Sequence, residues 1–139
     1  MPQVWEGNAG SASGEFAIVV ARYNESITGN LLRGALTTLD EHRVPDRSIS
    51  VAWVPGAWEV PVAADRLARS GRFAAVLCLA AVIRGETTHD QYINQQVSQS
   101  LGRIALESGV PVLFGVLTCN SLEQALQRSG GRVGNKGSE

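Results

Sequence analysis

Lysine is nearly missing from this chain: Lys136 stands alone beside eleven arginines. Charged residues make up only 18% of the sequence and the net charge is −1. That leaves no basic stripe for nucleic acid and no polybasic patch for a membrane surface. Cysteine is scarce as well. Cys78 and Cys119 fall in or beside apolar runs, where buried reduced thiols are the rule. Two such residues build no disulfide framework and have no metal-ligand spacing. No apolar run is long enough to span a bilayer, and the N-terminus lacks a secretory-signal pattern. What is there is 139 residues, enough for one domain with a real core. The expectation is a soluble, cytoplasmic, globular domain.

Residues 1 to 14 are polar and rich in Gly, Ala and Ser, and read as an arm. Gly7, Gly10 and Gly14 precede the first strand instead of following it, so they are not a dinucleotide fingerprint. Apolar runs predict strands over 16–21, 49–54, 74–79 and 112–117. Helical spacing predicts helices over 27–42, 58–69 and 89–108, and a fourth capped by Ser121 and ending near Arg128. Thr88 with Gln91, and Ser121 with Gln124, have the spacing of capping boxes. Residues 130–139 read as a glycine-rich loop, without the ending of a Walker motif. Strand and helix alternate four times, which means a parallel sheet with helices on both faces, joined by right-handed crossovers. Residues 15–139 are expected to form one domain.

The stretch Ala80 to His89 organises the rest. It leaves a buried strand, turns through Arg84-Gly85-Glu86 and opens a helix at His89. Open parallel sheets bind ligands beyond the C-terminal ends of their strands. A helix N-terminus there suits an anion and favours the neutral imidazole, which can take up and return a proton. The alternative is a surface histidine that follows a strand. Tyr23, Trp58, Glu59, Glu86, Thr87 and Thr88 should share the same rim. Aromatics there can stack on a flat ring, and Glu59 can accept hydrogen bonds from ligand hydroxyls. Equally, Trp58 could be core, and the helix dipole alone accounts for Glu59. Arg128 and Lys136 flank the last glycine-rich stretch and would suit a phosphorylated ligand. Between Gln91 and Gly102 the third helix carries no charge at all, a composition that fits packing on another subunit.

Five segments together resemble the lumazine synthase family: Arg22-Tyr23-Asn24, Val54 to Pro61, Val82 to His89, Val110 to Gly115, and Gly134-Asn135-Lys136-Gly137. The likeness runs from about Val4 to Glu139 in consistent order. It implies a flavodoxin-like three-layer α/β/α sandwich on a four-stranded parallel sheet, with an N-terminal arm able to add a strand to a neighbouring subunit. It implies a transferase of riboflavin biosynthesis that works without cofactor or metal. The family condenses 5-amino-6-(D-ribitylamino)uracil with 3,4-dihydroxy-2-butanone 4-phosphate, giving 6,7-dimethyl-8-ribityllumazine, phosphate and water.

Carried over by motif, Tyr23 would stack on the pyrimidine, and Ala57, Trp58 and Glu59 would line the ribityl side. Ala81, Val82 and Ile83 would hold the ring edge through backbone groups. Glu86 and Thr87 would lie at the phosphate end, with Arg128 gripping the phosphate and Lys136 nearby. His89 matches the proton-transfer residue. Phe114 matches a residue that reaches into the adjacent subunit's site. The implied assembly is a homopentamer, extendable to a 60-subunit shell, with riboflavin synthase as a candidate partner.

Two departures stand out. Ala80 occupies a position where the family has glycine, and its methyl group would crowd the ring pocket. The family also continues past Gly134-Asn135-Lys136-Gly137 into a final helix, which this sequence, ending at Glu139, is expected to lack, leaving an apolar patch. Two other readings are a shell-forming or flavin-binding homologue with little turnover, and a regulatory flavodoxin-like domain. The last expects an acidic cluster or a flavin-phosphate loop after the first strand, and Arg22-Tyr23-Asn24 is neither.

Overall fold

Unbroken runs of Val, Ile, Leu and Ala suit strands covered on both faces, and each such run here forms one. A computed structural model describes residues 1–8 and 13–139; Gly10 and its neighbours in the arm lie outside the described residues. The elements in order are β1 (Phe16–Ala21), α1 (Glu25–Glu41), β2 (Ile49–Val54), α2 (Val60–Arg69), β3 (Ala75–Ile83) and α3 (His89–Ser108). Then come β4 (Val112–Cys119), α4 (Leu122–Arg128) and a hairpin of β5 (Ser129–Gly131) and β6 (Gly134–Asn135). The long strands are all parallel, in the order β2-β1-β3-β4. Met1 to Asn8 are exposed and form no helix or strand.

Successive residues of a strand face opposite layers. Ala17, Val19, Val76 and Cys78 therefore pack with Val60, Ala64, Val97 and Leu101 of α2 and α3. Ile18, Val20, Leu79 and Leu117 pack with Ile27, Leu31 and Ala35 of α1 and Ala125 of α4. Each Val, Ile or Leu side chain so buried contributes about 1.5–3 kcal/mol, and each alanine methyl less. The architecture is a flavodoxin-like three-layer α/β/α sandwich.

Element ends differ from the sequence-based expectation where neighbours decide them. β3 runs on through Ile83 because β4 continues to Cys119 and supplies partners, pairing Ala80 with Val116 and Ile83 with Cys119. Ala57–Glu59 is a tight 3₁₀ turn before α2. Pro61 has no N–H to give the Ala57 carbonyl, so the turn tightens and Val60 donates there instead. Ser121 caps α4 as expected, its hydroxyl accepting from the Gln124 N–H at 3.2 Å. The Thr88 box does not form. The Gln91 N–H goes to the Thr88 backbone carbonyl, and it is the Thr87 hydroxyl that accepts from the His89 N–H, at 3.3 Å.

The glycine-rich tail is a hairpin and not an open loop. Asn135 clamps it to α1, donating through Nδ2 to the Asn30 carbonyl at 3.0 Å. Gly137 lies so close to Leu31 that any β carbon there would strike the Leu31 backbone.

This order of strands places the site. β1 and β3 are neighbours, yet α1 leaves β1 onto one face and α3 leaves β3 onto the other. The departing loops diverge and open a crevice beyond the two strand ends.

Candidate active site

That crevice is a cleft of about 470 Å³. From the β1 end come Tyr23 and Asn24, from the loop after β2 Pro55 to Glu59, and from β3 Ala81, Val82 and Ile83. Gly85, Thr87, His89, Asp90 and Ile93 close it from the α3 side. Three stretches far apart in sequence, 23–24, 55–59 and 81–93, thus meet at one sheet edge.

The walls are fixed by backbone pairing. Arg22 N–H donates to the Val54 carbonyl at 2.7 Å and Tyr23 N–H to the Pro55 carbonyl at 3.0 Å, tying the first loop to the second. Asn24 adopts the left-handed conformation, with φ 64° and ψ 46°. An asparagine before a helix ordinarily caps it, but Asn24 does not. Its Nδ2 instead donates to the Ala81 carbonyl at 3.1 Å, joining the β1 loop to the end of β3. Asparagine tolerates this backbone better than most residues.

The side chains that face the opening suit a flat, hydroxylated ligand. Tyr23 is 74% exposed and Trp58 56%, so both rings are free to stack. Trp58 is therefore not core, the alternative left open above. The Glu59 carboxylate folds back toward Gly56, where a β carbon would lie 3.4 Å from its Oε1. Ala81 and Val82 are buried, which leaves mainly backbone to face a ligand. His89 is exposed at the first residue of α3. Ala80 is wholly buried in the core under α2 and α3 and does not line the cleft. Its methyl group, expected to crowd the ring pocket, points elsewhere because adjacent strand residues alternate faces.

Several expected residues lie apart from the cleft within one chain. Glu86 is exposed and does not line it. Arg128, at the end of α4, is half-buried, and its Nη1 donates to the Cys119 sulfur at 3.8 Å. Lys136 pairs with Glu139 at 2.8 Å and lines a different cavity, together with Phe114. Phe114 is 50% exposed on β4, an edge strand.

Asn24 and Asp90 line the cleft without having been singled out from the sequence. For Asp90 a signal existed: it is an acidic residue on an otherwise uncharged stretch, with Ile93 and Asn94 where a cationic partner would stand. Among the described residues no cluster of His, Cys, Asp and Glu could hold a metal, and no helix is long and apolar enough to cross a membrane. The sequence matches the profile of the 6,7-dimethyl-8-ribityllumazine synthase family over residues 13–139, and the chain belongs to that family.

Proposed function

We propose that this chain catalyses the condensation of 5-amino-6-(D-ribitylamino)uracil with 3,4-dihydroxy-2-butanone 4-phosphate to 6,7-dimethyl-8-ribityllumazine, releasing phosphate and water. Family membership supports a transferase-type role in riboflavin biosynthesis. The observation that carries the specific reaction is the cleft itself, which collects Tyr23, Trp58, Glu59 and His89 at one rim.

The chemistry is a series of proton transfers between two held reactants. The pyrimidine amine adds to the ketone and water leaves to give an imine. Phosphate is eliminated, the product tautomerises, and the second nitrogen adds to the remaining carbonyl and closes the ring with loss of a second water. Tyr23 stacks on the pyrimidine, Ala57, Trp58 and Glu59 line the ribityl side with Glu59 accepting from its hydroxyls, and the backbone of Ala81, Val82 and Ile83 holds the ring edge. His89 carries protons. Holding the reactants in place is worth about 7–11 kcal/mol of barrier, and general acid–base assistance about 10²–10⁴-fold in rate.

The phosphate grip belongs, in this reading, to a second subunit. The cleft of one chain is lined by no lysine or arginine. Phe114 and Lys136 lie together away from it, where they can serve a neighbour. Arg128 joins them at that neighbour's phosphate end, opposite Glu86 and Thr87. The uncharged stretch of α3, with Tyr92 exposed, supports packing in a homopentamer, itself a unit of a 60-subunit shell. Riboflavin synthase, which would use the lumazine, is the expected partner protein.

Mixing both substrates with the protein and following lumazine fluorescence tests the reaction directly. Product should form well above the uncatalysed rate; a rate equal to the uncatalysed one rejects the enzyme and leaves a binding or shell role. Sedimentation at a monomer's mass would reject the shared site.

A further inference from the structure

Arg128 ends α4 with its charge unspent. Its main chain is pinned, because the Arg128 carbonyl accepts from the Lys136 N–H at 3.0 Å. Its side chain is half-buried, and among the described residues no carboxylate pairs with it. What holds the guanidinium is the Cys119 sulfur, which accepts from Nη1 at 3.8 Å. Cys119 closes β4 and is buried in the same core as Leu117 and Ala125, so the sulfur stands on a firm support. A buried cysteine is ordinarily a small apolar filler; this one has a cation against it. A thiol is a weak acceptor without charge. It takes up one N–H and leaves the other donors, and the whole positive charge, to an anion. A carboxylate in its place would neutralise the guanidinium. A purely apolar side chain would leave the long arginine stem to turn among its rotamers.

We infer, resting on the function proposed above, that Cys119 is a positioning residue of the phosphate end: its sulfur aims Arg128 at the ketone's phosphate without neutralising it. A guanidinium ordered before the ligand arrives spares part of the entropy lost on binding. The main chain of Cys119 has a separate task. Its carbonyl accepts from the Arg84 N–H at 2.8 Å, anchoring the loop that runs on to Gly85 and Thr87 of the chain's own cleft. That bond does not depend on the side chain, so substitutions at this position isolate the sulfur.

Steady-state kinetics with both substrates varied, on the full-length protein and its Cys119→Ala, Cys119→Ser and Arg128→Ala variants, tests this. Cys119→Ala should raise KM for the ketone phosphate roughly four-fold, with KM for the pyrimidine held within about two-fold. Cys119→Ser keeps an acceptor that the long Arg128 side chain can follow, and should restore KM to within about two-fold of the unaltered protein. Added to Arg128→Ala, Cys119→Ala should raise KM no further, because the group it aims is already gone. An unchanged KM in Cys119→Ala, or effects that multiply in the double variant, would overturn the inference. A role confined to packing would lower Tm and act on KM equally with and without Arg128, which also overturns it. If Cys119→Ala does not fold, Cys119→Val takes its place, since it fills the space without an acceptor and suits a strand. If the unaltered protein forms no lumazine, the function fails, and calorimetric titration with inorganic phosphate judges Cys119 separately. Affinity should then fall roughly four-fold in Cys119→Ala and recover in Cys119→Ser; an unchanged affinity, or no phosphate binding at all, overturns the inference.

Discussion

The two ends of this sheet are made of the same aliphatic strands, yet they finish in opposite kinds of surface. Beyond the C-terminal ends of β1 and β3 lies the cleft, with aromatic rings, two carboxylates and an imidazole. Toward the N-terminal ends, under α1, lies a cavity of about 330 Å³ walled by Phe16, Ile18, Leu39, Leu77 and Leu113. The difference follows from direction. Parallel strands send all their following loops and helix N-termini one way, so free N–H groups and positive dipole ends collect there. The other end receives helix ends and strand starts, and its hollow is mostly apolar. Ligand chemistry and packing have been divided along the length of the strands.

Perturbing the cleft end should therefore alter rates, and perturbing the far end, apart from Phe114 and Lys136 that are proposed to serve a neighbour's site, should alter stability. The largest effect is expected from His89→Ala, with turnover reduced roughly 10²-fold or more and little change in pyrimidine binding. An unchanged rate would take proton transfer away from α3. Next comes Arg128→Ala, which should raise KM for the ketone phosphate about ten-fold, as loss of a charge-assisted contact does. Reassembled mixtures of the two variants should regain activity at low ketone, because some sites would unite an intact His89 with a neighbour's Arg128. Recovery of none would argue that each chain serves itself.

At the packed end, Gly137→Ala should cost about 1–3 kcal/mol in denaturant unfolding, since the new methyl group must displace the α1 backbone at Leu31. Its effect on pyrimidine KM should be small. A large kinetic effect with intact stability would erase the division between the ends.

At neutral pH the smallest effect belongs to the middle of the sheet, where it emerges only in alkali. Burial pushes the Cys78 thiol from 9.0 up to about 12. The folded protein thus holds a proton that the unfolded chain releases. The sign follows: stability is full below pH 9 and declines from there toward 12, by about 1.4 kcal/mol per pH unit. Cys78→Ala should abolish that slope in alkaline unfolding curves, and a slope that persists would place its origin elsewhere.

Much of this arrangement was legible in the residues. β1 and β2 have the predicted limits because sharp breaks bound them: Arg22 after one, Pro55-Gly56 after the other. The cleft positions of Tyr23, Trp58, Thr87 and His89 follow from strand-to-helix order alone, given that parallel strands end together. The extension of β3 was not legible, because its last residues are strand only by virtue of β4 beside them. Nor was the tail hairpin, whose shape depends on Asn135 reaching Asn30 across the fold. The separation of Phe114 and Lys136 from the cleft required the third dimension, since motif order says which residues matter and not which copy they serve.

Asn24 carries a consequence for how a ligand is received. Its backbone occupies a region few side chains favour, and its amide is latched to Ala81 rather than to its own helix. The wall that Tyr23 stands on is consequently settled when the chain folds. An arriving ring meets a finished shelf, and association on that side should proceed in one fast phase with no lag for a segment to rearrange.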